Sequence, residues 1–394
     1  MRAARGQGAV TRIFVVAGEA SGDNLGALLM RALRAAEPGV VVAGVGGEEM
    51  TREGLASLFP LSDLAVMGLV PVLARLPRLL ARLGETTRAI LADPPDCLVL
   101  IDAQDFTQRV ARGVRARAPR IPIIRYVSPT VWAWRPWRAR TMRSSIDHVL
   151  AVLPFEPDAL ARLGGPPCDY VGHPLIEHID ALAPGAPDGD RREGPLLILP
   201  GSRHAEVRRM MPVFGAAAAL LARAHPGLDI AIPVASNVEA AVKEEASRWR
   251  VAPRLLSQNE KFPAFRAARA ALVTSGAATL ELALADVPMA VAYKVSPVER
   301  LLKFLITVDC FSLPNLIVGD RTLPEFFQGE ATPQALADAI GPLLVGGPAR
   351  AAQQAAFATL RAKILAGGAV PSARAAEIVL RHARRGQMSP VNRS

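Results

Sequence analysis

Short apolar runs alternate with longer helical patterns along the whole chain, and this alternation predicts an α/β protein. The runs expected to be buried parallel strands in the first half are Ile13–Ala17, Val40–Ala43, Cys97–Ile101, Val149–Leu153 and Tyr170–Gly172. Those expected in the second half are Leu196–Leu199, Leu228–Pro233, Ala271–Thr274 and Met289–Ala292. Because both halves show the same alternation, we expect two similar doubly wound domains in tandem, with a ligand in the cleft between them.

A run rich in proline and glycine marks the predicted boundary between the halves. Residues 183–190 read Ala-Pro-Gly-Ala-Pro-Asp-Gly-Asp, which is the composition of a linker. We therefore predict Rossmann-like domains at residues 1–183 and 191–366, followed by a helical tail at 367–394. A chain of 394 residues is long enough for two such domains, each with its own core.

The composition is that of a globular protein, with 51% hydrophobic and 21% charged residues. No uncharged apolar run approaches the roughly 18 residues that span a bilayer, and the start lacks the long apolar core of a secretory signal. The three cysteines and six histidines show no spacing typical of a disulfide framework or a metal site. We therefore expect a cytoplasmic protein without a metal or cofactor.

The net charge of +10 bears on the partners of the protein. Only five of the 46 basic residues are lysines, so the excess is almost all arginine. A basic surface favours anionic partners, which include nucleic acids, phosphorylated substrates and acidic lipid headgroups.

Two turns in the second half have the pattern of a phosphate site. Leu196–Leu199 runs into Pro-Gly-Ser-Arg at 200–203 and then into a helical pattern. Free N–H groups at a helix start attract anions, and Arg203 adds a planar fork for a phosphate. An ordinary turn with a solvated arginine fits this stretch equally well. Ala271–Thr274 runs in the same way into Ser275-Gly276 and a second helix, on which Glu281 can accept hydrogen bonds from a ribose. Together the two turns favour a nucleotide diphosphate.

The first half places a carboxylate at the edge of the sheet where ligands bind. Asp102 directly follows Cys97–Ile101, and a carboxylate there can act as a general base on a substrate hydroxyl. The alternative is a helix N-cap, a role that Asp105 would fill, and the sequence alone leaves both Asp102 and Asp105 open as the base. The turn after Ile13–Ala17 has glycines at 18, 22 and 26, which is not the dinucleotide fingerprint, and the chain has no P-loop.

The segment Val66–Leu83 is strongly amphipathic. Its apolar stripe on a helix is Leu69, Leu73, Leu76, Leu80 and Leu83, with Arg75, Arg78 and Arg82 opposite. Such a stripe also suits a helix that lies in a membrane interface, but the pattern alone favours a helix that faces the core and has a solvated charged face. Pro71 and Pro77 are expected to interrupt any single long helix.

A second basic segment contains most of the tryptophan. Residues 108–146 include ten arginines and no acidic residue, and three of the four tryptophans fall within Tyr126–Trp137. Tryptophan beside arginine is typical of a membrane interface or of a pocket for an anionic amphiphile. Single-stranded nucleic-acid sites also interleave these residues. No nucleic-acid-binding signature accompanies them, so we expect no nucleic-acid partner.

Several longer motifs resemble one family, the lipid-A-disaccharide synthases, which are inverting glycosyltransferases of the GT-B type. The motifs are AGEASGD at 17–23, AVMG at 65–68, IDAQDF at 101–106, YVSPTVWAWR at 126–135, LPFE at 153–156, VGH at 171–173, LPGSRHAEV at 199–207, TSGAATLE at 274–281 and SLPNL at 312–316. The resemblance covers nearly the whole chain from about residue 13 to the tail. His204 is a departure, because some members have a smaller residue there.

The resemblance implies a reaction and a set of site residues. UDP-2,3-diacylglucosamine would join 2,3-diacylglucosamine 1-phosphate (lipid X), giving a β-1,6-linked disaccharide and UDP, with Asp102 as the base. The residues that would hold UDP are Gly201, Ser202, Arg203, Ser275, Gly276, Glu281 and Asn315. The residues expected to line the substrate cleft are Glu19, Ser21, Asp23, Met67, Ser128 and Trp132.

The resemblance also implies where the protein acts. Since both substrates carry acyl chains, membrane contact through Val66–Leu83 and the tryptophan-rich segment becomes the favoured interpretation of both. The protein is then expected on the inner face of the inner membrane, as a peripheral protein. The family can exchange its C-terminal segment between subunits, so a homodimer is an expectation in which Asn315 serves the other subunit's site.

Two competing hypotheses remain from the sequence. One is another GT-B enzyme acting on a UDP-sugar, either a lipid-linked hexosaminyltransferase or a 2-epimerase. A soluble sugar nucleotide does not require a basic, tryptophan-rich segment, which disfavours the epimerase. The other is a basic adaptor that binds anionic membrane or nucleic acid and has no catalytic activity. Two phosphate-type turns and a strand-end aspartate exceed what an adaptor needs.

Overall fold

The computed structural model describes residues 10–64, 69–182, 193–296, 308–366, 368 and 370–388, and the side chains of residues 69–75, 178, 387 and 388 are not described. The chain divides into two compact units. The first consists of residues 1–176 and 367–394, and the second of residues 177–366. Each unit is built around one parallel sheet of six strands.

The first sheet has the strand order β2-β1-β3-β4-β5-β6, with every neighbouring pair parallel. Its strands are β1 (Arg12–Ala17), β2 (Val41–Val45), β3 (Cys97–Ile101), β4 (Ile123–Tyr126), β5 (His148–Ala151) and β6 (Cys168–Tyr170). Every residue of β3 is buried, as expected for a central strand that helices cover on both faces.

The second sheet has the order β12-β11-β10-β7-β8-β9 and is also parallel throughout. Its strands are β7 (Leu196–Leu199), β8 (Ile230–Pro233), β9 (Arg254–Leu256), β10 (Ala270–Thr274), β11 (Met289–Tyr293) and β12 (Glu325–Phe327). Its core includes Met210, Met211 and Phe214, none of which is accessible to solvent.

Helices connect the strands and cover both sheets. In the described part of the chain they are α1 (Ala20–Ala36), α2 (Glu48–Arg52), α3 (Leu69–Ala92), α4 (Gln104–Arg117), α5 (Trp137–Met142), α6 (Glu156–Arg162), α7 (Ile179–Leu182), α8 (His204–Ala224), α9 (Glu239–Ala246), α10 (Lys261–Ala267), α11 (Ala277–Leu284), α12 (Leu313–Val318), α13 (Pro333–Val345), α14 (Pro348–Leu365) and α15 (Pro371–Met388). Within these described stretches, none of the helices is both long enough and apolar enough to cross a bilayer.

The last helix returns to the first unit. Helix α15 packs against α1 and β3, and its residues Ala375, Ala376, Val379 and Ala383 are fully buried. Arg384 of α15 forms an ion pair with Glu37 at the end of α1 (3.1 Å). The C-terminal segment is therefore part of the core of the first unit.

The predicted fold class, two tandem Rossmann-like α/β domains with a helical C-terminal segment, is confirmed. The apolar runs correctly located nine strands to within a few residues. Three strands were missed, namely β4, β9 and β12, since β9 and β12 have only three residues each and β4 carries a charged residue. The domain boundaries at 183, 191, 366 and 367 stay predictions, and the expected linker at 183–190 lies outside the described residues.

The expectation that proline interrupts the amphipathic helix was wrong. Helix α3 runs without a break from Leu69 to Ala92, with Pro77 inside it. Pro71 is the third residue of the helix, where a backbone N–H has no partner in the helix anyway. Only Pro77 removes a helical hydrogen bond, and the burial of the following turns of α3 outweighs that loss.

Candidate functional site

Each sheet changes its winding direction once, and predicted site residues lie at that point. The chain passes from β1 to β2 and returns to β3 on the other side of β1. In the second sheet it passes from β7 outward to β9 and returns to β10 on the other side of β7. In open α/β sheets, ligands bind outside the carboxyl ends of the strands at such a switch point. Asp102 follows β3, while Arg203 and Ser275 follow β7 and β10.

Asp102 lies on a left-handed turn between β3 and α4. The φ angles of Asp102 and Ala103 are 52° and 39°, in a region that costs a residue other than glycine about 1–3 kcal/mol. The hydroxyl of Thr107 donates to the carbonyl oxygens of Asp102 (2.9 Å) and Ala103 (3.1 Å), which holds the turn. The helix cap at this point is Ala103, so the expectation that Asp105 caps the helix was wrong. Asp105 lies in the first turn and pairs with Arg138 (2.6 Å).

Ser21 holds the Asp102 carboxylate from the neighbouring strand connection. The hydroxyl of Ser21, in the first turn of α1, donates to Oδ2 of Asp102 at 2.9 Å. Burial raises the pKa of Asp102 above its ordinary value, while this hydrogen bond and the positive charge of Arg125 lower it in part. A carboxylate with a raised pKa accepts a proton more readily, which suits a general base.

Gly18 allows the two turns to meet. A Cβ atom at Gly18 would lie 1.9 Å from Cβ of Ala103, a distance that no side chain can occupy. The end of β1 and the turn after β3 are therefore in direct contact, and this contact brings Ser21 to Asp102. The glycine spacing in the sequence thus reflects close packing within the chain.

The other residues predicted near Ser21 have different surroundings. Asp23 is buried and accepts three backbone N–H groups, those of Gly47 (2.7 Å), Glu49 (2.9 Å) and Met50 (3.1 Å), so it anchors the start of α2. Glu19 is exposed at the residue that precedes α1. Met67 lies outside the described residues.

The tryptophan-rich loop after β4 is fixed by a buried carboxylate. Trp132 donates through Nε1 to Oε1 of Glu156 (3.2 Å), and its ring packs edge-on against Phe155. Burial raises the pKa of Glu156 to about 7, although it also accepts two backbone N–H groups. Ser128 is buried and donates to the carbonyl oxygen of Pro129 (3.2 Å). Glu156 was missed as a site residue, and the motif LPFE was its only signal.

The Pro-Gly-Ser-Arg turn has the geometry expected for a helix start. Gly201 has a φ of 100°, and Arg203 is the cap residue of the 21-residue helix α8. Arg203 pairs with the buried Glu206 (3.0 Å), yet its side chain remains 59% exposed. Asn237 donates to the carbonyl oxygen of Ser202 (2.7 Å), which ties the turn to the segment after β8. The turn is therefore tied to its neighbours, and its arginine is accessible to an anion.

The second turn is also held by its neighbours. The hydroxyl of Ser275 donates to the carbonyl oxygen of Phe311 (2.8 Å), while a Cβ atom at Gly276 would meet open space. Glu281 is mostly buried and pairs with Lys261 (2.6 Å), a partner that the sequence did not indicate. The backbone at Gly276 is thus open to a ligand at the first residues of α11.

Asn315 is completely enclosed by its own unit. Its amide nitrogen donates to the carbonyl oxygen of Leu323 (2.9 Å) and to Glu325 (2.8 Å), and its amide oxygen accepts the N–H of Leu323 (3.0 Å). Glu325 also accepts the N–H groups of Phe311 and Ser312. Since Phe311 is the partner of Ser275, Asn315 supports the turn at Ser275 through these contacts.

The arginines of α3 bind a buried carboxylate. Arg78 and Arg82 both pair with Asp63 (2.7 and 2.8 Å), which is buried, and Arg82 also stacks over the ring of Phe59. Leu83 packs against the core, whereas Leu80 is 48% exposed. In the described part of this helix, Leu83 therefore packs against the core of its own unit. Two of its arginines, Arg78 and Arg82, form ion pairs inside the chain.

No group of three or more histidine, cysteine, aspartate or glutamate side chains suited to a metal ion occurs among the residues that the structure describes. The positive groups at the turns after β7 and β10 include the starts of α8 and α11 and the side chains of Arg203 and Lys261.

Comparison with known proteins identifies close relatives over nearly the full length. Residues 13–378 match the family described as lipid-A-disaccharide synthetase. The lipid-A-disaccharide synthase of Nitrobacter hamburgensis is 49% identical over 95% of this chain and 97% of its own length. That of Bradyrhizobium diazoefficiens is 47% identical over the same shares of the two chains.

Solved structures of lower identity show the same fold. UDP-GlcNAc 2-epimerase from Neisseria meningitidis, bound to UDP-GlcNAc, matches with a TM-score of 0.60 at 12% identity, over 95% of this chain and all of the other. MurG from Acinetobacter baumannii matches with a TM-score of 0.54 at 14% identity, again over 95% and 100%. With relatives of 41–49% identity over some 95% of its length, the chain belongs to the lipid-A-disaccharide synthase family, whose members are glycosyltransferases.

Proposed function

We propose that this chain transfers the sugar of UDP-2,3-diacylglucosamine to the 6-hydroxyl of 2,3-diacylglucosamine 1-phosphate, with inversion at the anomeric carbon. The observation that carries the proposal is the half-buried carboxylate of Asp102, which Ser21 holds at the switch point of the first sheet. In a lipid-A-disaccharide synthase, a carboxylate placed in this way would supply the base at the edge where the acceptor binds.

The proposed step moves one proton and exchanges one bond. Asp102 takes the proton of the acceptor 6-hydroxyl, and the acceptor's 6-oxygen forms a bond to the anomeric carbon of the donor at the same time. The bond from that carbon to the diphosphate oxygen breaks with its electron pair, and UDP leaves. Attack from the face opposite the leaving group converts the α-linked donor into a β-1,6-linked product.

The second unit would stabilise the departing diphosphate. The starts of α8 and α11 offer backbone N–H groups, of which that of Arg203 already donates to Glu206 (3.3 Å), and the Arg203 side chain is accessible beside one of them. Each preorganised donor of this kind contributes about 2.7–4 kcal/mol to a transition state in which negative charge develops. Gly276 leaves space for a phosphate to approach the backbone. Glu281 then binds the ribose, with Lys261 orienting its carboxylate.

The substrates of this proposal carry acyl chains, so the protein would work at a membrane surface. The exposed Trp137 at the start of α5 and the arginines around it suit contact with anionic lipid on the inner face of the inner membrane. A homodimer that exchanges its C-terminal segment remains part of the proposal.

The test is a direct assay with both substrates in detergent and EDTA, following UDP and disaccharide together. We expect matched rates and a β-anomeric proton in the product by NMR. Lipid X with its 6-hydroxyl replaced by hydrogen is the matched control, and it should yield no disaccharide. UDP release without disaccharide in the complete mixture would mean that the donor is only hydrolysed and that the acceptor is wrong.

A further inference from the structure

Arg125 is a buried arginine whose hydrogen-bonding capacity is largely unused. It lies on the central strand β4 and is 1% exposed. Its Nη2 donates to Oε1 of Gln108 (3.0 Å), and Gln108 in turn donates to Ser145 (2.7 Å). Its Nε and Nη1 have no hydrogen-bond partner within the described ranges. A buried guanidinium with unmade hydrogen bonds destabilises a fold, so this residue calls for a functional reason.

Arg125 also lines a cavity of about 180 Å³. This volume corresponds to about six water molecules, which is room for a phosphate group with part of a sugar. The lining consists of one face of α4, the residue Pro129 after β4, and the side of α5. The cavity therefore lies at the carboxyl ends of β3 and β4, beside the turn that carries Asp102.

The charges around the cavity are strongly one-sided. Its lining includes four arginines and one carboxylate, namely Arg109, Arg112, Arg125, Arg138 and Asp105. Asp105 is exposed and already pairs with Arg138 (2.6 Å). Burial, followed by the positive charge of Arg138, lowers the pKa of Arg125 to about 10, so it remains protonated at neutral pH. An anion in the cavity would relieve this repulsion.

We propose that this cavity binds the phosphate monoester of the acceptor, with Arg125 at its floor and Arg138 at its mouth. The inference rests on the proposed function for the identity of the acceptor. A sugar whose phosphate is held here has its hydroxyls next to the turn of Asp102. Arg125 thereby contributes to acceptor selectivity, because an acceptor without the phosphate leaves the guanidinium unpaired.

The test compares lipid X with 2,3-diacylglucosamine, the same acceptor without its phosphate. We expect the wild-type protein to prefer lipid X by roughly 10- to 100-fold in kcat/KM, the range of a hydrogen-bonded charge pair. Arg125→Met should remove most of this preference by raising the KM for lipid X, while its folding stability stays equal or increases. Arg143→Met is the matched control, because Arg143 is exposed directly after α5 and does not line the cavity.

Other outcomes separate the inference from the proposed function. If Arg125→Met keeps the wild-type preference for lipid X over 2,3-diacylglucosamine, the inference is overturned. If this variant also loses affinity for UDP, the anion bound in the cavity is the diphosphate of the donor. If Arg125→Met does not fold, Arg138→Met replaces it with the same expectation.

If the wild-type protein transfers nothing, the proposed function fails. Titration with inorganic phosphate by calorimetry then decides the cavity alone. Binding that Arg125→Met abolishes supports the anion site, and absence of wild-type binding overturns it.

Discussion

The surroundings of Asp102 predict how the rate depends on pH. Burial raises the pKa of this carboxyl, and the hydrogen bond from Ser21 lowers it in part. We expect kcat/KM to fall in acid with an apparent pKa above the ordinary aspartate value of about 3.9. Ser21→Ala should move this acid limb to higher pH, because it removes a hydrogen bond that favours the charged form. The measurement is kcat/KM as a function of pH for both proteins.

Two variants serve as controls for this prediction. Ser144→Ala removes an exposed hydroxyl that donates only to Thr141, so the acid limb should not move. Asp102→Asn should lower the rate by roughly 10²- to 10⁴-fold at every pH, the usual contribution of a general base. An acid limb that stays in place or moves to lower pH in Ser21→Ala would contradict the role assigned to this pair.

For single residues, the position relative to a predicted strand located some of the site residues in the sequence and missed others. Asp102 follows a clear apolar run, so its place at the sheet edge could be read from the sequence. Arg125 lies inside a strand, and the only signal was a charge within the apolar run Ile121–Tyr126. The pairing of Glu281 with Lys261 joins residues from two separate elements, and no local pattern announces such a contact.

Helix α15 is attached to the first unit through a cluster that is sensitive to pH. His382 lies against His148, with 5.0 Å between the ring centroids, and Asp169 pairs with both His148 (3.0 Å) and Arg381 (3.7 Å). Burial, followed by the charges of His148, Arg385 and Arg381, lowers the pKa of His382 to about 4, and Asp147 opposes this in part. Burial also lowers the pKa of His148.

These shifts predict that acid loosens α15. The unfolded chain binds protons near the ordinary histidine pKa of about 6.5, whereas the folded chain resists them down to about pH 4. The stability from His382 is therefore complete above pH 6.5 and declines as the pH falls towards 4. We expect hydrogen-exchange protection of α15 to fall over this range and His382→Leu to reduce that dependence. His204→Leu, at an exposed position, is the control and should leave the dependence unchanged.

Helices, strands and turns could be predicted where neighbouring residues alone carry the signal. The turns after β7 and β10 were identified from strand, glycine and helix signals in direct succession. The continuity of α3 through Pro77 was not, because tertiary packing of Thr86, Thr87 and Ile90 stabilises the helix beyond its local preference. The return of α15 to the first unit likewise depends on its fit against α1 and β3, and the sequence shows only an amphipathic helix.

At the scale of the whole molecule, charge and one exposed aromatic side chain predict binding to anionic membranes. The net charge is +10, and almost all of the basic residues are arginines. Trp137, between Pro136 and Arg138, is 54% exposed. Basic residues near an anionic surface contribute about 1 kcal/mol each, and salt screens this attraction within a Debye length of about 10 Å at 0.1 M. Tryptophan adds insertion at the headgroup level, which salt does not screen.

We therefore expect the protein to sediment with vesicles that contain phosphatidylglycerol and not with vesicles of phosphatidylcholine alone. Raising the salt from 0.1 to 0.5 M should release most of it, and Trp137→Ala should weaken binding at either salt concentration by severalfold. Leu365→Ala removes an apolar side chain of comparable exposure (40%) from the second unit, so it should bind as the wild type does. Equal losses in both variants would show that exposed apolar area in general, rather than the surface around Trp137, drives the association. Binding to phosphatidylcholine alone that resists salt would exclude the electrostatic contribution altogether.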